Sequence, residues 1–428
     1  MNVSFALPGV VVHSSNRGKF VQNRDGRMTT FRAAQVNSFL NSRTAGRVGL
    51  ILAGLMSAFY ATWFAQRPLY NWDIIPYVAI ALLDAGHPTE SLRQKTYEII
   101  ERSTPTHAHE FLLGGSEYKK DTYNRGADYR YTVAHDSKVF ADQLPLYTVK
   151  PAYPALMSLL VRFGVNPVTA TMVVSGAGYA AICFLLYAWI SRWINPAISL
   201  VLVGLLSLNP VLIPLAQLAT PDSLSTFVLL LGTFLAIEIG YPALGVAIFV
   251  VSILVRPENI IYLFIFLVFL AATKRLSIVL GAIAFALAFA LYFVETRLSH
   301  NYGWRVLFDF TFFDWTILQH PADTPFGLFD YVNVYVKELF RMFFTRGVAF
   351  PSFLLIGIAI FLMRYHSPQL WHEPYVQLAL VALLYIVART AVLPGEPDRA
   401  LVFPYTLLAI CFIRACYLCR MRATDSKR

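Results

Sequence analysis

The stretch VTATMVVSGAGYAAICFLLYAWI, residues 168–190, carries no charged side chain over its whole length. As a helix it would be about 35 Å long, enough to cross a hydrocarbon layer of about 30 Å. Working outward from it, similar apolar runs occur at about 47–66, 197–213, 222–239, 243–255, 258–273, 276–295, 349–364, 374–392 and 400–418. Over the 428 residues, 57% are hydrophobic and only 14% are charged, where a soluble domain carries about 25% charged residues. The reading is an all-α polytopic membrane protein with about ten transmembrane helices.

Two polar stretches interrupt the pattern. Residues 67–150 form a long first outer loop that opens with an amphipathic segment, and residues 296–347 form a second, rich in Trp and Phe. The segment PAYPALMSLLVRF, 151–163, is apolar but too short to span and reads as an interfacial helix. Residues 1–45 are Arg-rich (Arg17, Arg24, Arg27, Arg32, Arg43) and lack the apolar region of a cleavable signal, so they read as a cytoplasmic tail. Residues 46–418 are the bundle, and 419–428 a second cytoplasmic tail. With both termini inside and ten spans, Arg192, Lys274, Arg275 and Arg364 fall in short cytoplasmic loops, while the short outer loops hold chiefly Arg256 and Arg399. The five basic residues of 296–347 run against that asymmetry.

The net charge of +10 is accounted for by such anchoring residues and argues against a nucleic-acid partner. Cys183, Cys411, Cys416 and Cys419 all lie in or beside apolar runs, so no disulfide framework is expected, and the lone C-x-x-C of Cys416 and Cys419 is read as small residues at a helix end. No nucleotide-binding loop or hydrolase elbow is present.

The topology gathers ionisable residues at the outer boundary: Asp73 in YNWDIIPY, Lys150 in YTVKPAYP, Asp222 in ATPDSLSTF, Arg256 and Glu258 in LVRPENII, and Arg399 in PGEPDRALVFPY. Charges at that depth are costly unless paired or facing a polar cavity. A carboxylate in a partly dry cleft can have its pKa raised and serve as a general base, and nearby Arg and Lys can hold a phosphate. Each also has a plainer reading. Asp73 and Asp222 would suit helix starts, Arg256 with Glu258 and Arg399 with Asp398 would make interfacial ion pairs, and Lys150 would snorkel. His107, His109 and Glu110, in THAHE, are weak candidates for a divalent metal; no other cofactor is implied.

In order and position these motifs resemble the GT-C superfamily of integral membrane glycosyltransferases, notably the protein mannosyltransferase and lipid A aminoarabinose transferase group. An Asp follows the first span (Asp73). A Lys-Pro pair (Lys150, Pro151) precedes a short apolar helix. A Pro-Asp opens a middle span (Pro221, Asp222), an Arg-Pro-Glu turn follows (Arg256, Pro257, Glu258), and an Arg opens the last span ahead of Phe403-Pro404. The likeness covers about residues 45–418. It implies transfer of a sugar from a polyprenyl-phosphate carrier to a lipid, glycan or protein acceptor on the non-cytoplasmic side, in a bacterial inner membrane. Asp73 would be the base, Lys150, Arg256 and Arg399 would hold the carrier phosphate, and Asp222 and Glu258 would shape the site. The chain departs from the pattern in lacking an acidic pair directly after the first span, and it is expected to lack a large C-terminal soluble domain. The rival expectation is a transporter or flippase of a lipid-linked or polar solute, which would place charges near the bilayer midplane instead.

Overall fold

A computed structural model describes residues 43–114, 125–321, 327–344, 349–366, 373–394 and 398–425. The expected N-terminal tail lies outside the described residues up to Ser42. Among those described, all regular structure is helical. Six helices are long and apolar enough to cross a membrane: Ala45–Ala65, Pro167–Ile190, Asp222–Ile239, Ile278–Leu298, Pro374–Val392 and Arg399–Met421. The pair Leu328–Phe344 and Ala349–Met363 makes a seventh if it is one broken span. The expected runs at 197–213, 243–255 and 258–273 fall instead on the shorter helices Pro196–Ser207, Pro242–Ser252 and Asn259–Ala272. Proline shortens the first. Pro210 and Pro214 have no N–H to continue the ladder, and Asn209 Oδ1 accepts from Val211 N at 2.9 Å to form a turn.

What these helices bury and expose follows from an apolar solvent. Ile278–Leu298 is only 11% buried, with Ile278, Val279, Leu287 and Leu298 outward. Such a surface is stable against lipid and not against water. Inside the bundle, Tyr179, Trp189, Phe249, Tyr262, Phe266 and Tyr405 form the centre of the core. Some buried hydroxyls are satisfied locally. Thr233 Oγ1 bonds the Leu229 carbonyl at 2.7 Å and meets the Tyr262 hydroxyl at 2.9 Å, which ties two helices where no water competes.

The described parts of the polar stretch 67–150, with the segment that follows it, fold into short helices. Ile74–Asp84 and Ala152–Arg162 pack together through Tyr77 and Tyr153, whose ring centroids are 4.9 Å apart. Ser158 Oγ donates to Asp84 Oδ2 at 3.2 Å, and Arg162 Nη2 to the Asp84 carbonyl at 2.8 Å. Ala152 N donates to the Leu254 carbonyl at 3.0 Å, which moors the end of this loop beside the turn that carries Arg256.

Helix Asp222–Ile239 links two polar ends. Asp222 stands at its start and Glu238 near its close, about 24 Å apart at 1.5 Å per residue. Its last residues, Leu235–Ile239, widen into a π turn capped by left-handed Gly240. There Glu238 accepts from Arg192 Nε at 2.8 Å, from Trp193 Nε1 at 3.0 Å and from the Tyr375 hydroxyl.

Two glycines allow this helix to sit close to its neighbours. A Cβ on Gly178 would stand 2.6 Å from Ser223 Oγ, next to Asp222, and a Cβ on Gly245 would collide with the Gly232 carbonyl. Gly178→Val should therefore cost about 1–3 kcal/mol through overpacking. It is expected to lower the thermal midpoint of the purified protein in detergent by several degrees, while Gly46→Ala, which meets nothing within 4 Å, leaves that midpoint unchanged.

Candidate functional site

The six residues singled out in the sequence come together in one charged cluster at the Asp222 end of the bundle. Asp73 directly precedes helix Ile74–Asp84, yet its carboxylate makes no capping bond. It accepts from Asn71 Nδ2 at 2.7 Å, from the Tyr147 hydroxyl at 3.1 Å and from Arg399 Nη1 at 2.7 Å. Asp222 is the first residue of its helix, after Pro221 at the cap position. One of its oxygens pairs with Arg256 Nη1 and the other lies 3.7 Å from Arg399 Nε. Asp73 thus makes ion-pair and hydrogen-bond contacts in place of a cap, while Asp222 keeps its first-turn position, favoured by the helix dipole, and adds ion pairs across long sequence separations.

Arg256 is the hub. It is buried, and besides Asp222 it reaches Glu258 Oε1 through Nη2 at 2.7 Å and Nε at 3.0 Å. The turn Arg256-Pro257-Glu258 puts both side chains on one side because Asn259 N returns to the Arg256 carbonyl at 3.0 Å. Asn259 is fixed beneath, its Nδ2 donating to the Ser252 carbonyl and its Oδ1 accepting from Ser225 Oγ. Lys150 lies over the Tyr147 ring, with its ammonium 5.6 Å from the centroid, and is close enough to Asp73 and Glu258 to stabilise both carboxylates electrostatically.

Two residues were not found from the sequence. Arg389, inside helix Pro374–Val392, reaches Glu258 Oε1 at 3.4 Å and is buried. The signal available was an isolated Arg within an apolar run. Tyr147 orients Asp73 from the far end of the first outer loop, and nothing in its sequence neighbourhood marks it. Burial and the neighbouring Asp73 push its hydroxyl pKa up, so it stays a donor.

The cluster therefore holds three carboxylates (Asp73, Asp222, Glu258) and four cations (Lys150, Arg256, Arg389, Arg399). The cleft among Asp222, Arg256, Glu258, Arg389 and Arg399 is lined further by Ser225, Thr226, Tyr385 and Phe403 and has about 10 Å³ of accessible space, the room of a single water, with Asp73 joined to it through Arg399. Arg399 is its most exposed arginine, at 27% against 10% for Arg256 and 4% for Arg389. One expectation is corrected here. Burial does push the Asp73 carboxyl up, but Arg399, Lys150 and the bonds from Arg399 and Tyr147 outweigh it, so its pKa is lowered. For Glu258 too, burial raises and Arg256, Arg389 and Lys150 more than reverse it.

His107, His109 and Glu110 lie on helix Thr106–Leu113, where an i, i+2 spacing points the two imidazoles to different sides. Among the described residues no three His, Cys, Asp or Glu side chains gather as ligands for a metal ion. The four cysteines are free.

Compared with known proteins, the chain matches no family model, no curated protein and no solved structure.

Removing one partner from a buried ion pair strands the other, at a cost of about 3–5 kcal/mol. Asp222→Asn should therefore destabilise the protein more than Arg399→Gln, as read by thermal unfolding in detergent. Folded pKa values below the unfolded ones mean that Asp73 and Glu258 contribute stability in their ionised form. That contribution is whole above the unfolded carboxylate pKa of about 4 and is lost as pH falls through the lower folded values. The thermal midpoint is expected to be insensitive to these two groups from pH 5 to 8 and to fall below about pH 4. In Asp73→Asn the acid-side loss should be smaller.

Proposed function

We propose that the chain is a GT-C-like membrane glycosyltransferase, moving a sugar from a polyprenyl-phosphate carrier to an acceptor hydroxyl on the non-cytoplasmic side. The observation that carries this reading is the convergence of Asp73, Lys150, Asp222, Arg256, Glu258 and Arg399, from five separate stretches of chain, in one charged cluster of an apolar bundle. In the proposed topology the chain crosses ten times, with the shorter helices completing crossings through their turns. Both termini are cytoplasmic and the membrane is a bacterial inner membrane. Glu238 with Arg192 at one end of the Asp222 helix, and the acid–base cleft at the other, support this sidedness.

The chemistry follows from the charges. With four cations against three carboxylates, the cleft favours one further anion, as a lipid phosphate supplies. Arg399 is the exposed member and holds Asp73 at rest, so it is the group that turns to an incoming phosphate together with Lys150. Freed of Arg399, Asp73 loses the partner that lowers its pKa most, and its basicity rises. The acceptor oxygen then bonds to the anomeric carbon as the bond from that carbon to the phosphate oxygen breaks. The hydroxyl proton passes to Asp73, and the carrier phosphate leaves as an anion stabilised by Lys150 and Arg399. Arg256 and Arg389 remain with Asp222 and Glu258 and hold the walls in place, where the two acids can accept from acceptor hydroxyls. No step requires a metal.

The test is transfer from radiolabelled polyprenyl-phosphate sugars in proteoliposomes. Asp73→Asn is expected to reduce turnover by at least about 100-fold, the scale of a lost general base, with expression retained and only a modest fall in thermal midpoint from the lost Arg399 pair. Lys150→Ala should raise KM for the donor more than it lowers kcat. Near-normal turnover in Asp73→Asn would remove that residue from the mechanism.

A further inference from the structure

A second cavity lies in the second outer loop, apart from the acid–base cleft, and shares no lining residue with it. It encloses about 360 Å³, within the range of small-molecule sites. Helix Trp304–Phe312, the 3-10 turn Trp315–Gln319 and the start of helix Leu328–Phe344 form its walls. Its polar lining is one-sided in charge, with Asp309, Asp314 and Asp330 beside Thr316 and His320, and Phe313 adds an aromatic face.

The decisive residue is Asp309. It is 6% exposed and lines the cavity, yet among the described residues its carboxylate has no hydrogen-bond or ion-pair partner. Its carboxylate oxygens open onto the cavity, so a charged group placed there would supply the partner that the protein side chains do not. Burial, then Asp314 and Asp330, push its pKa up, so the three acids repel one another when nothing lies between them. Asp314 has one oxygen engaged, Oδ1 accepting from Thr316 N at 3.0 Å, which fixes the carboxylate at the rim.

We infer that this cavity binds a small organic cation carrying separated primary ammonium groups, with Asp309 at its floor and Asp314 and Asp330 at its mouth. A metal ion fits less well, because among the described residues no three acids or imidazoles come together to coordinate one ion. Carboxylates spread around a roomy pocket suit a ligand whose charges are likewise spread. The face of Phe313 adds a cation–π contact to the pairing. This inference does not depend on the transferase reading, since none of its residues belongs to that cleft.

The experiment is calorimetric titration of the purified full chain in nanodiscs of neutral lipid, with 1,4-diaminobutane and its uncharged counterpart 1,4-butanediol. The diamine is expected to bind and the diol not. Asp309→Asn should weaken the diamine at least about tenfold, the scale of one charge-assisted hydrogen bond. Asp330→Asn, at an exposed position that tolerates substitution, should weaken it in the same direction, so a folding failure of the first variant does not decide the matter. Equal binding of diol and diamine, diamine affinity unchanged in Asp330→Asn, or calcium binding where the diamine does not, would each overturn the assignment. Transfer activity in Asp330→Asn separates this site from the other cleft, and it should stay at the wild-type level.

Discussion

Arg256, clasped between Asp222 and Glu258, is the interaction on which the charged end of the bundle depends. A guanidinium at that depth is tolerable only when its charge is answered and its donors are filled. Answering it requires the start of one helix and the turn before another to meet. Once they meet, Glu258 is placed to receive Arg389 and Asp222 to face Arg399, which in turn holds Asp73. Exposure along the network rises from the enclosed Arg256 and Arg389 outward to the more accessible Arg399. Tight interhelical approaches at Gly178 and Gly245 are what let the helix bearing Asp222 come near enough to take part.

The same charges set the working character of the cleft. An isolated carboxylate in a dry pocket would be a strong base, but Asp73 is a weak one while Arg399 stays bound to it. In the proposed transferase such a site is idle until an anion competes for the arginine, and basicity would then be switched on where the sugar arrives. This ties reactivity to occupancy without any large movement of the bundle, because only the least buried arginine has to change partners. The room for a single water in the resting cleft fits such a closed, self-neutralised state.

Much of this was legible in the chain. Uncharged runs such as 168–190 define the helices, and the scarcity of charge makes each ionisable residue conspicuous, so Asp73, Lys150, Asp222, Arg256, Glu258 and Arg399 could be named and assigned to one face. Arg389 escaped because it sits within an apolar run, and Tyr147 because an interfacial loop is full of tyrosines. Helix lengths at 197–213, 243–255 and 258–273 were overestimated, since hydropathy extends through turns that proline and Asx geometry break. The direction of the Asp73 shift was misjudged for a different reason. Desolvation can be guessed from position, whereas the opposing effect of Arg399 arises from a partner 326 residues away. The Asp309 cavity left no trace in the sequence reading, as its three acids are ordinary residues of a polar loop until folding brings them together.

The π turn at Leu235–Ile239 has a mechanical consequence. A regular helix fixes the azimuth of its last side chain once that of its first is set, so a rod anchored by Asp222 at one end has no rotational freedom left to aim Glu238 at the other. The wider turn inserts an angular offset that releases this constraint. Each end of the rod then meets its own partners, Arg256 on one side and Arg192, Trp193 and Tyr375 on the other. The helix is thereby clamped against twisting as well as sliding, a torsionally stiff strut between its two charged ends.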